Sequence, residues 1–460
     1  MTDLSLIRRL ARVGAVERAW ALLVDAGLDR VLGDARVLTL KGRLLKDRAM
    51  AMSAPEERHE RDELLRAAAE AYAAAAALTG DSYPRINAAA LAHLRGDRAG
   101  AAGQATELLG LIDTGHHGGE TPYWLEATRA EAYLLSGQVP AAEASLAKAV
   151  ALAPRAREDR AITLRQFRRL LQAGGGDCSW LDRFALPPVM HFRGPMAVAD
   201  DPGAADVAAA VADIGPGVAI GALAAGTDII AAEAAVAEGA ELHIVLPSEI
   251  EAFRHGSVLP FDGDWNARFD ALLDQAASIE WLEEEGGLTD AAVRMADDMA
   301  MGLAGIEAQA ADDEPVLLRA RWAGADAVPN LGAPHRQVLV DLPRPDNMPT
   351  CALPPPMEPV VAVARAGDGM IESRSINDLA QLRGELAAGD SIDVVVTTAL
   401  PLDPAPPRIA AMQQLDNDMT VLASRPAALL LWAHCPGSRP VLAGSAMATT
   451  GAFELYDMLV

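Results

Sequence analysis

GVAIGALAAGTDIIAAEAAVAEGAELHIVLP, running from Gly217 to Pro247, decides the fold. A short apolar run (Val218, Ala219, Ile220) ends in a loop that holds Gly221 and Gly226. Thr227-Asp228 opens an Ala-rich helical segment, Gly239 closes it, and a second apolar run, Leu242 to Leu246, stops at Pro247. Strand, glycine loop, capped helix and strand are the signature of a βαβ unit with a right-handed crossover. Amides at such a helix N-terminus form a natural seat for an anion, above all a phosphate. The candidate ligand-binding residues on this loop are therefore Gly221, Gly226, Thr227 and Asp228. A helix cap and a ligand contact use the same geometry at Asp228, so both readings stand.

Outward from this unit, the chain alternates strand and helix. Val189 to Phe192 reads as a first strand ending at Arg193-Gly194-Pro195, which adds Gly194 to the candidate site. Asp206 to Ile214 reads as a helix. Beyond Pro247 the pattern predicts a helix over Asp264–Gln275, a strand at Ser278–Leu282 and a long helix over Leu288–Ala310. Strands at Pro315–Trp322 and Gln337–Leu342 follow. Met295, Met299 and Leu303 lie at helical spacing and are expected in the core. Five or six strands interleaved with helices imply a doubly wound, parallel, Rossmann-like sheet over 187–342. The Pro-rich run 343–359 reads as a linker. Residues 360–460 are expected to form a small α/β or α+β domain with strands at Val360–Ala364, Ile392–Thr397 and Ala428–Trp432.

Before Pro187 the chain is helix after helix. YWLEATRAEAYLLSGQVPAAEASLAKAVALAP (Tyr123 to Pro154) places Tyr133, Gly137, Ala142, Leu146, Ala149 and Pro154 at repeat positions. Small Ala residues let antiparallel helices approach, and Gly137 permits the turn between them. INAAALAHLRGDRAGAAGQATELL repeats the scheme with Gly96 and Ala101. Residues 1–175 thus resemble a tetratricopeptide (TPR) helical repeat array, with one clear and two or three degenerate repeats. The resemblance implies a scaffold for a protein partner. His116-His117 in GHHGGE reads as a solvated loop.

Composition narrows the function. Hydrophobic residues make up 51% and charged residues 22%, which points to a globular chain. Of 39 basic and 64 acidic residues, 25 and 24 fall in the first 186, leaving 14 against 40 beyond. That acidic field argues against nucleic acid as a ligand. Lys41, Lys46 and Lys148 are the only lysines, so a Walker-type loop, a kinase lysine and a pyridoxal-phosphate Schiff base are excluded from the second half. Cys178, Cys351 and Cys435 form no paired motif, and neither a metal site nor a disulfide framework is expected. With no long apolar run and no leader-like N-terminus, a cytoplasmic protein without a membrane span is expected.

Gly221, Gly226-Thr227-Asp228, Glu233 and the strand HIVLP make the segment Val189–Leu342 resemble the SLOG superfamily. That superfamily includes the LOG-type phosphoribohydrolases and the DNA-processing protein DprA. The resemblance implies binding of a nucleotide or nucleotide-derived molecule, its ribose-phosphate on the glycine loop, with no other cofactor required. More closely, GALAAGTDIIAAEAAVAEGAELHIVLPSEIEAF, FRHGSV and GDWNARF resemble the middle region of bacterial TPR proteins, many of which end in a class III nucleotidyl cyclase domain. The hydrolase motif PGGxGTxxE is incomplete here, since Glu233 falls six residues after Thr227 instead of three. Glu233 is thus a weak catalytic candidate, facing either a ligand ribose or solvent. After Pro359 there is no lysine and the stretch is short for a cyclase, which implies a degenerate remnant. Arg254 and Arg268 are the basic candidates for a phosphate, although each has carboxylates nearby in sequence. Three readings follow: a signalling protein that pairs a TPR scaffold with a nucleotide-sensing domain, an N-glycosidic nucleotide hydrolase, and a cyclase. The first is preferred, because fold alone does not confer catalysis.

Overall fold

The computed structural model describes residues 4–12, 14–52, 54–196, 201–282, 288–311, 313–325, 336–344, 360–365, 371–375, 378, 381, 394–399, 421–434, 439–448 and 451–459. They fall into two compact units, Met1–Leu186 and Pro187–Val460. No described helix is long and apolar enough to cross a membrane.

The first unit is an all-helical array: α1 (Leu4–Arg12), α2 (Val16–Asp25), α3 (Ala35–Ala51), α4 (Arg58–Thr79), α5 (Ser82–Leu94), α6 (Arg98–Asp113), α7 (Pro122–Leu135), α8 (Val139–Leu152) and α9 (Arg157–Gly174). From α1 to α8 each helix packs on the next, and α5 also touches α7 and α9. Gly96 and Gly137 turn the chain between paired helices at φ +92° and +79°, the left-handed region that L side chains avoid. Asp97 then caps α6 by accepting the Gly100 amide at 2.9 Å. Ala89, Ala105, Ala130, Ala142 and Ala149 are fully buried, so small side chains do bring the helices together. The TPR-like reading of this half holds.

The second unit opens with β1 (Val189–Arg193), α10 (Asp201–Ile214), β2 (Val218–Gly221), α11 (Thr227–Ala237) and β3 (Glu241–Leu246). It continues through α12 (Ile250–Ser257), α13 (Trp265–Gln275), β4 (Ser278–Trp281), α14 (Asp290–Ala310), β5 (Val316–Trp322) and β6 (Arg336–Leu342). The six strands are all parallel, in the order β4-β3-β2-β1-β5-β6. The expected α/β sheet is therefore present, with one helix, α12, that the sequence reading did not foresee. Side chains alternate between two faces. Met190, Phe192, Ala219, Leu242 and Ile244 pack under α10, α11 and α13, while Val189, Val218, Ile220 and Val245 pack against α14. Met295, Met299 and Leu303 lie in that second core as expected. Strand order runs outward from β1 to β4 and then resumes at β5 on the other side of β1. The crevice at such a reversal, beyond the carboxyl ends of the strands, is where open α/β sheets bind ligands.

A mixed sheet completes the unit: β7 (Val360–Arg365), β8 (Ile371–Ser375), β9 (Val394–Ala399), β10 (Val421–Ser424), β11 (Arg439–Ala448) and β12 (Gly451–Leu459), in the order β11-β12-β10-β9-β7-β8. The strand expected at Ala428–Trp432 is instead the middle of a helix, α15 (Arg425–His434). Residues Ala427 to Ala433 are all buried, so their uniform apolarity carried no period by which helix and strand could be told apart. Pro426 at the first turn and three consecutive leucines favour helix. α15 packs on α14, where a methyl at Gly305 would collide with the Trp432 ring. Most of the expected linker (345–359) lies outside the described residues.

Candidate functional site

A cavity of about 250 Å³ lies beyond the carboxyl ends of β1, β2 and β3. Its apolar wall comes from Phe192, Val245, Phe253 and Ala300, and its polar groups include Arg193, Asp228, Arg294 and Asp297. Gly194 and Asp228, both anticipated from sequence, reach it.

The glycine loop is built differently from expectation. The Asp228 carboxylate accepts the amides of Gly194 at 3.2 Å and Ala224 at 3.3 Å. The Ala225 amide donates to the Ser257 carbonyl at 2.9 Å, and the Thr227 amide to the Pro195 carbonyl at 3.3 Å. The Thr227 hydroxyl takes the same Pro195 oxygen at 2.9 Å. Four amides that a phosphate would need are thus engaged by the protein itself. An open anion notch at residues 221–228 is not what this loop presents, because Asp228 already sits where the anion would. The glycines have a local cause as well. A Cβ on Gly221 would lie 2.6 Å from the Phe192 ring and 2.7 Å from its carbonyl oxygen, and one on Gly194 would strike Thr227. Gly226 bridges to Met196 at φ +114°.

Asp228 is 7% exposed. Burial pushes its carboxyl up to about 7, against the pull of the Ala224 amide and of Arg193. Near neutral pH this group therefore exchanges between acceptor and donor on the cavity wall.

Arg254 and Arg268 are not brought to the cavity. Arg254 binds Asp270 and Asn266, each at 2.7 Å, and stacks over Phe269. Arg268 and Glu233 form a two-pronged ion pair with Nε–Oε1 at 2.8 Å, and the guanidinium covers Trp265. Glu233, like both arginines, is absent from the cavity wall.

A charged cluster that sequence reading missed stands beside the cavity. Arg193, at the end of β1, is the register partner of Arg319 in the middle of β5, and the strand order reverses between these two strands. Arg193 pairs with Asp297 on α14. Buried Arg319 donates to His191 Nδ1 at 2.8 Å, and His191 Nε2 lies 3.3 Å from Asp297 Oδ1. Because Arg319 only donates, Nδ1 accepts and the His191 proton sits on Nε2, toward Asp297. Burial, with Arg319 adding to it, drives the imidazole down to about 4, so it is neutral at pH 7. Burial alone would raise Asp297. The Arg193 charge, then His191 and Arg319, outweigh it and hold the carboxyl far below its usual range. Burial also lowers Arg319 to about 10. Next in sequence, Asp298 turns to the other sheet layer, where His434 Nε2 on α15 lies 3.0 Å away. Burial raises that carboxyl and His434 partly offsets the shift. A signal was available: His and Arg inside VMHFR and LLRARW, and Asp-Asp on an apolar helix face, are costly unless paired. Among the described residues no group of His, Cys, Asp and Glu suited to a metal was found.

Residues 3–92 match the family model Tetratricopeptide Repeats-Sensor, a segment from the chain start to α5. No curated protein matches. Among solved structures, a mutant O-GlcNAc transferase from Thermobaculum terrenum aligns with 63% of this chain and 51% of its own, at 13% identity and a TM-score of 0.19. The aligned part thus spans about half the length of that enzyme chain. The chain is similar to the Tetratricopeptide Repeats-Sensor family over its first helices, and its α/β unit lies outside that match.

Proposed function

We propose that this chain is a cytoplasmic signalling protein in which a TPR scaffold for a protein partner is joined to an α/β unit that binds a nucleotide-derived small molecule. The observation that carries the reading is the cavity beyond the carboxyl ends of β1, β2 and β3, with Asp228 on its wall. A mostly apolar concavity with a few convergent polar groups suits a flat base or sugar body. Asp228 would meet a hydroxyl or amine of that body, in place of the phosphate first expected there. Arg193 and Arg294, on the same wall, suit an anionic end. The sensor wording of the family matched by the helical half is in keeping with this reading.

The hydrolase reading loses its candidate acid, since Glu233 is held by Arg268 away from the cavity. Relationship to the SLOG proteins and to cyclases rests on resemblance alone. Purified protein incubated with AMP, GMP and ADP-ribose, and followed by both thermal shift and chromatography, tests the proposal. A rise in Tm without release of free base supports a sensor. Free base that disappears in Glu233→Gln would replace it with the hydrolase, and no response to any of the three would reject ligand binding of this class.

A further inference from the structure

The helical unit holds a second concavity, of about 380 Å³, that no reading above uses. Arg8, Arg9 and Arg12 of α1 face Arg36 and Arg43 of α3 across it, and Tyr83 of α5 completes the wall. The α3 contribution, which also includes Thr39 and Leu40, falls at i, i+3, i+4 and i+7, one face of the helix over two turns. Five guanidinium groups around one hollow repel each other unless anions are present. Three have carboxylates at hand: Arg12 meets Glu158 at 2.7 Å, Arg36 meets Asp34 at 2.9 Å, and Arg43 meets Asp47 at 3.5 Å. Arg8 and Arg9 are exposed and form no ion pair among the described residues.

We infer that this hollow binds an oligophosphate: a small molecule carrying two or more linked phosphates, inorganic or on a nucleoside. Charge density decides between this and an acidic peptide. An extended peptide spaces its residues by about 3.3–3.6 Å and sends successive side chains to opposite faces, so few carboxylates could enter one hollow. Linked phosphates put all their oxygens within a few ångströms, and planar guanidinium forks bind them two oxygens at a time. The volume lies in the range of small-molecule pockets, roughly 300–1,000 Å³. Thr39 and Tyr83 add hydroxyl groups to the same wall. This inference stands apart from the α/β cavity, and either can fail without the other.

The test is isothermal titration of the full chain with inorganic tripolyphosphate and, separately, with ATP. Arg8→Ala/Arg9→Ala removes the two cations without ion-pair partners from exposed positions, and a melt checks that the helices remain folded. Tripolyphosphate binding that weakens at least tenfold in this variant is expected, but not in Arg155→Ala, which alters an exposed arginine that does not line the hollow. Arg8→Lys/Arg9→Lys should recover only part of the loss. Equal affinity for the two ligands would make the phosphate chain the recognised group, whereas tighter ATP binding with the same arginine dependence would assign a nucleoside source. Absence of binding by both, or binding indifferent to Arg8 and Arg9, overturns the inference. So would an octaglutamate peptide that binds more tightly than tripolyphosphate and is lost in the same variant, which would make the hollow a peptide-docking surface.

Discussion

The Asp228 carboxylate accepts the Gly194 amide at 3.2 Å and so ties the end of β1 to the first turn of α11. With the Ala224 amide on its other oxygen, the side chain fills the helix N-terminal seat that the glycine loop offers. The ligand-facing element is then a buried carboxyl of adjustable protonation. Asp228→Asn cannot satisfy both amides, since one of its positions becomes a donor facing a donor. A loss of about 1–3 kcal/mol is expected, the cost of a buried donor left unpaired, read as a shift in the urea midpoint.

Protonation gives a second prediction. Asp228 is raised in the folded chain to about 7, so the native state holds a proton that the unfolded chain releases. Its contribution is present below the unfolded carboxyl range and is lost as pH rises toward 7. His191, lowered to about 4, works in the opposite sense. The unfolded chain takes up that proton below about 6.5, so stability gained from neutral His191 increases from pH 4 to 6.5. In the parent chain the two slopes oppose each other over this window. Tm measured from pH 4 to 7 should rise more steeply in Asp228→Asn than in the parent. A parallel pair of curves would contradict the Asp228 shift.

Much of the sheet was legible because parallel strands buried on both faces read as short apolar runs, and Gly and Pro mark their ends. α12 went unseen since IEAFRHGS carries few apolar residues, and α15 was misread because it carries nothing else. The site was legible in place but not in content. Gly221 and Gly226 mark a tight turn whether the neighbour is a phosphate or the chain itself, and only coordinates show Phe192 and Pro195 there. Arg193, Asp297 and Arg319 meet across more than 100 positions of sequence, a pairing no local pattern encodes.

Gly221 separates the two meanings of the loop. If the glycine served ligand approach alone, Gly221→Ala would keep its stability and lose binding. The close approach to Phe192 predicts instead a destabilisation of about 1–3 kcal/mol from overpacking, with or without ligand. Chemical denaturation of the ligand-free variant decides between them.

The Arg268–Glu233 pair lies on a partly exposed helix surface and should matter little. Removing either partner is expected to cost about 1 kcal/mol or less, with the thermal response to AMP or ADP-ribose unchanged. A variant at Arg268 that abolishes the response would return that residue to the ligand site.

The cavity beside Asp228 is tested most directly by calorimetric titration of ADP-ribose into the parent chain and into Val293→Trp. Val293 lines the cavity and is 37% exposed, so an indole there fills the space without disturbing the buried core. Saturable binding to the parent that vanishes in a variant of equal Tm is the predicted result. Binding of undiminished affinity in Val293→Trp would contradict the assignment of this cavity.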